Sequence, residues 1–146
     1  MTLENLLGIS LEAVTADAPG IQRLLEAAAR SLADSRLSGI SSEGRFDMAY
    51  KAIMQSANAA LQGTGYRTLT SKPGHHQTMI QSLPQTIGLE RQTMVLLDTL
   101  RKQRNVIDYS GDVVSASMAD EAQAQAERLL QRVSLWLREN RPDLLA

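Results

Sequence analysis

The chain contains no cysteine. Disulfides and thiolate chemistry are therefore excluded, and the composition suits a reducing cytoplasm, the expected location. Aromatic residues are few: Phe46, Tyr50, Tyr66, Tyr109 and Trp136. That is too few for a base-stacking platform. An excess of either charge is also missing, with 15 basic residues against 16 acidic ones and a net charge of −1. No global field recruits nucleic acid or an anionic membrane, so any such binding must come from a local patch. No apolar run approaches the length of a membrane span, and Met1 to Ser10 lacks the basic start of a signal peptide. Strand-length alternation, repeats and low-complexity tracts are absent as well.

What is present reads as helix. At 146 residues the chain fits one domain, 1–146, with enough length for a core. Residues 1–16 form a leader or a short first helix. Asp17 and Pro19 mark a start, and Ile21, Leu24, Leu25, Ala28 and Leu32 make a helical stripe that Ser38-Gly39 stops. Ser41 or Ser42 caps the next helix, whose face is Phe46, Ala49, Tyr50, Ile53, Ala57, Ala60 and Leu61. Gly63-Thr64-Gly65 ends it, and Tyr66 to Pro73 is a polar loop with Arg67 and Lys72. A shorter helix from about Gly74 carries His75, His76, Met79, Ile80 and Leu83 and is disturbed by Pro84. A helix over Leu89 to Ile107 follows, then a turn cluster over Asp108 to Asp112. Ser117 with Asp120 resembles a capping box for the last helix, which runs to about Asn140 on Ala122, Ala126, Leu129, Leu130, Val133 and Leu137. The expected fold is all-α, an antiparallel four- to five-helix bundle.

One residue does not fit this pattern. Leu89, Leu96, Leu97, Leu100 and Ile107 form an apolar stripe, and at about 100° per residue Arg104 projects onto its middle. A guanidinium on a core-facing line is costly unless it is paired or lines a cleft. Asp108, four residues on, can pair with it. Arg101 and Lys102 lie near the helix end, where the helix dipole favours cations by roughly 0.3–1 kcal/mol each. Asn105 and Tyr109 extend Arg104 into a unit offering a planar fork, an amide and a hydroxyl. Arg101, Arg104, Asn105, Asp108 and Tyr109 are the candidate ligand-binding residues, with Arg104, Asn105 and Tyr109 as candidate catalytic groups.

Other constellations carry less. His75 and His76, adjacent on a helix, point about 100° apart and do not chelate one ion, so no metal or cofactor is expected. Ser110 lacks a His and an acid in a recognisable arrangement, and Gly63-Thr64-Gly65 is a helix stop rather than a phosphate loop.

A helical bundle with Arg-Asn-x-x-x-Tyr at the end of its penultimate helix resembles the HEPN family (higher eukaryotes and prokaryotes nucleotide-binding). The resemblance runs from about Arg45 through Arg45-Phe46-Asp47-Met48-Ala49-Tyr50, Gly63-Thr64-Gly65-Tyr66 and Gly74-His75-His76, and centres on Leu100 to Tyr109. It implies a homodimer that brings two motifs to one cleft, where Arg holds an RNA phosphate and a motif His serves the 2′-hydroxyl without metal. Here Tyr109 stands where that His would be, and no His follows His76. A phenol with a reference pKa near 10 is a poor base near neutrality. The resemblance therefore implies a bundle binding RNA or a nucleotide phosphate, or partnering a nucleotidyltransferase in a toxin–antitoxin or defence system, without efficient catalysis. In some members the partner modifies a Tyr two residues beyond the motif His, a position held here by Gly111. A metal-independent ribonuclease and a dimeric scaffold with a buried Arg104 ion pair are the alternatives.

Overall fold

A computed structural model describes residues 2–71 and 73–146. Four long helices, α1 (Ala18–Ser35), α2 (Ser42–Gly63), α5 (Arg91–Ser110) and α6 (Ala116–Asn140), and two short ones, α3 (His75–Gln81) and α4 (Leu83–Ile87), make an all-α bundle. The helix starts follow local chemistry. The Asp17 carboxylate accepts from the Gly20 N–H at 3.1 Å, with Pro19 in the first turn, where its missing N–H costs nothing. The Ser41 hydroxyl accepts from the Gly44 N–H at 3.0 Å. For α6 the cap is Ser115, which accepts from the Met118 N–H at 3.1 Å, rather than the expected Ser117–Asp120 box. Ser115 holds the extended backbone that a cap requires, whereas Ser117 is already helical; Asp120 instead binds Arg45 on α2.

α2 runs through the centre. It buries Phe46, Ala49, Ile53, Ala57 and Ala60, and its alanines let α6 approach closely with Ala119, Ala122 and Ala126. α1 closes a third side with Ile21, Ala28 and Leu32. Pro84 separates α3 from α4 by sitting in the first turn of α4.

Two short strands were not expected. β1 (Leu11–Ala13) pairs antiparallel with β2 (Tyr66–Thr68), placing Leu11 opposite Thr68. Three residues are too few to show alternation in a sequence. β2 takes the start of the expected polar loop, and Lys72 of that loop lies outside the described residues. The leader is a 3₁₀ turn (Glu4–Leu6) followed by β1.

α5 is shifted from its expected span. Leu89 precedes it, while Asp108, Tyr109 and Ser110 continue it. Gly111, at φ +72°, ends it by donating its N–H to the Ile107 carbonyl at 2.8 Å, a backbone conformation suited to glycine. Leu97 and Leu100 are buried as the stripe requires, but Leu96 is exposed. Among the described residues no helix is long and apolar enough to cross a membrane.

Candidate functional site around Arg104

α5 lies against α3 and α2, and its cations divide into two groups. Arg101 and Lys102 are not in the last turn, because α5 continues to Ser110, so the helix dipole does not explain them. Both turn to Asp98: Arg101 at 2.7 Å and Lys102 at 3.7 Å. The Arg101 and Asp98 side chains are only 13% and 10% exposed, which makes this the buried ion pair of the helix. Burial alone would raise the Asp98 carboxyl. The hydrogen bond and charge of Arg101, together with Gln81 and Lys102, outweigh it and hold the group below the usual carboxylate range.

Arg104 differs. Its ionic contact with Asp108 is 4.0 Å long, and the two side chains are 35% and 56% exposed. A pair of that length and exposure contributes little, so Asp108 does pair with Arg104 as the spacing allowed, but among the described residues Arg104 forms no buried ion pair. The guanidinium instead covers the Tyr50 ring, with its central carbon 4.9 Å from the centroid. The Tyr50 hydroxyl in turn lies 3.2 Å from His76 Nδ1. Arg104, Tyr50 and His76 line one groove of about 480 Å³, together with Asp47 and Lys51. Met54 and Met79 supply apolar wall, and Gln55 and Asn58 supply amides.

Each titratable group here is set by its surroundings. Burial pushes Tyr50 up to about 12, against the opposing pull of Arg104 and Arg101. Burial lowers His76, and His75, Arg104 and Arg101 lower it further, so the imidazole is neutral at pH 7. Partial burial raises Asp47, against the Arg104 charge, with Asp108 and Glu43 adding to the rise. An apolar-walled groove with convergent polar groups and several perturbed side chains has the character of a ligand site. A second groove of about 430 Å³, lined by Leu89, Leu96, Leu129 and Leu135, has its Glu90 already closed onto Arg132 at 2.7 Å.

Of the candidate residues, only Arg104 points into the larger groove, with Asp108 beside it. Arg101 is committed to Asp98. Asn105 and Tyr109 stand on the exposed side of α5, Tyr109 at 95% exposure, so within one chain they do not join Arg104 in a unit. The residues that do join it, Tyr50, His76 and Asp47, come from α2 and α3. Tyr50 was legible as part of the α2 core stripe and of the Arg45-to-Tyr50 segment of the resemblance, but not as a partner of Arg104; its hydroxyl, a polar atom on that stripe, was the available signal. The His rings contact each other edge-on with centroids 5.2 Å apart. Among the described residues no group of three or more His, Asp or Glu side chains could hold a metal ion. No family model, curated protein or solved structure matches this chain.

Proposed function

We propose that the groove under Arg104 binds the phosphate of an RNA strand or nucleotide, in a bundle of HEPN-like character. The observation that carries this reading is the state of Arg104: a guanidinium laid over Tyr50, half-buried, with only a 4.0 Å contact to a carboxylate. Its donors are oriented yet weakly engaged, so a phosphate gains charge-assisted hydrogen bonds at little cost in broken ones. Lys51 adds a second cation on the groove wall, and Met54 and Met79 offer apolar surface to a base or sugar. A role as the partner of a nucleotidyltransferase in a toxin–antitoxin or defence system extends the same family resemblance and rests on it alone.

The test is fluorescence anisotropy with a labelled single-stranded RNA, competed by nucleoside monophosphate. Arg104→Met should weaken binding at least tenfold, about 1.4 kcal/mol, while Asn105→Ala leaves it within a factor of about two. A wild-type chain that binds neither ligand, or an Arg104→Met variant that binds equally well, refutes the proposal.

A metal-independent ribonuclease is the second reading, favoured by one specific observation. An imidazole from another helix, His76 of α3, lines the same groove, neutral and hydrogen-bonded to Tyr50. With Nδ1–H donating to the Tyr50 oxygen, Nε2 accepts the 2′-hydroxyl proton as the 2′ oxygen displaces the 5′ oxygen from phosphorus, and Arg104 stabilises the charge developing there. This reading requires RNA cleavage that persists in EDTA and is lost in His76→Gln.

A further inference from the structure

The Arg104 groove adjoins a second cavity of about 290 Å³, set between α1 and α2. The walls of that cavity include Ala27, Arg30 and Asp34 of α1. Lys51 and Gln55 of α2 line both spaces. One turn apart on the same face of α2, they form the ridge over which one space passes into the other. The Ser31 hydroxyl donates to Gln55 Oε1 at 3.0 Å and ties α1 to α2 at that ridge. The amide nitrogen of Gln55 has no hydrogen-bond partner among the described residues.

The cations along this surface are unengaged. Arg30 and Lys51 are exposed, and among the described residues neither forms an ion pair or a hydrogen bond. Asp34 follows Arg30 by one turn in the same cavity but does not close onto it. Asp34 and Asp47 keep the whole surface near charge balance, so attraction is local to each cation rather than a field over the face. A mononucleotide placed at Arg104 fills the first groove and leaves Arg30 unused. A chain of phosphates uses all the cations in turn. We propose that the two spaces together hold a single-stranded RNA segment, with successive phosphates at Arg104, Lys51 and Arg30 and the Gln55 amide donating to the strand as it crosses the ridge. This rests on the phosphate reading of the Arg104 groove and adds a second subsite to it, built from α1. Arginine suits the far subsite because its planar fork donates to two phosphate oxygens at once. The contacts are to the backbone, so they carry no sequence preference.

Competition against a labelled single-stranded RNA reads the two subsites separately. The competitors are uridine monophosphate, a 5′-phosphorylated uridine trinucleotide and inorganic tripolyphosphate. The trinucleotide should bind about tenfold more tightly than the monophosphate. Its affinity should fall with salt at a log–log slope of about −2, as expected for a single strand with one phosphate on each of the cations. Arg30→Gln, at an exposed position, should weaken the trinucleotide about fivefold. It should also flatten the salt slope to about −1.4 and leave the monophosphate within a factor of about two. Arg138→Gln, exposed on α6 and lining neither space, should change nothing. A trinucleotide that binds no better than the monophosphate, with both weakened by Arg104→Met, overturns the strand path and leaves the phosphate reading of Arg104 standing. Binding of neither defeats both. An Arg30→Gln variant that binds the trinucleotide like wild type, an equal loss in Arg138→Gln, or tripolyphosphate that matches the trinucleotide also overturns the strand path.

Discussion

Arg101 and Arg104 lie one turn apart on α5, and replacing each with methionine should separate a structural cation from a functional one. Arg101→Met removes one partner of a buried pair and strands the Asp98 carboxylate. Such losses run to about 3–5 kcal/mol. Lys102, 3.7 Å from the same carboxylate, remains to offset part of it, which puts the expected cost at the low end, about 3 kcal/mol. Arg104→Met loses a 4.0 Å exposed contact and a stacking contact with Tyr50, together about 1 kcal/mol. For a chain of this size each kcal/mol moves the melting temperature by roughly 2–4 °C. Thermal and urea unfolding at neutral pH should therefore show a fall of about 6–12 °C for Arg101→Met and about 2–4 °C for Arg104→Met. Acid supplies a second check. The folded Asp98 carboxyl lies below its ordinary 3.8, so its contribution is complete above that value and is lost as pH falls through the folded one. The gap between wild type and Arg101→Met should narrow correspondingly below pH 3.8. If Arg104→Met proved as costly as Arg101→Met, Arg104 would be a structural residue and the argument for an available guanidinium would fail.

Two further outcomes follow from buried groups. Ser56 is fully buried in α2, and its hydroxyl has no hydrogen-bond partner among the described residues. Ser56→Ala should raise stability by about 1 kcal/mol, since it removes a desolvated polar atom and improves helix propensity; a loss of stability in urea titration would contradict that account. His76 has a folded pKa below its ordinary 6.5, so the unfolded chain takes up its proton first and the folded state loses stability as pH falls from 6.5 toward the lower folded value. Unfolding free energies of wild type and His76→Gln across that window should differ by an amount that shifts against the wild type in acid, and a constant difference would show that His76 is not held neutral.

The sequence made the bundle legible because helical burial repeats at short range. The stripes of α1, α2 and α6, with Asp17 and Ser41 as caps, all reappear in the structure. Boundaries were less legible where two local rules competed. Asp108 to Ser110 read as a turn, yet one glycine, Gly111, sets the stop and the preceding three residues remain helical. That shift also changed the meaning of Arg101 and Lys102: three more helical residues removed them from the terminus and left Asp98 as their partner. Asp98 drew no notice in the sequence, because nothing in a helical pattern says which acid will be covered by a neighbouring helix.

Arg104 as the misfit of a leucine stripe is a property of the sequence alone, since side-chain direction on a helix follows from spacing. What Arg104 touches was decided only by the tertiary structure. Tyr50 and His76 reach it because α2 and α3 pack against α5, and helix packing depends on the shapes of whole faces rather than on any local motif. Burial in that packed site is also what keeps His76 neutral and Tyr50 protonated. The sequence could show that a charge stood on the wrong line; the packing of three helices turned that line into a groove.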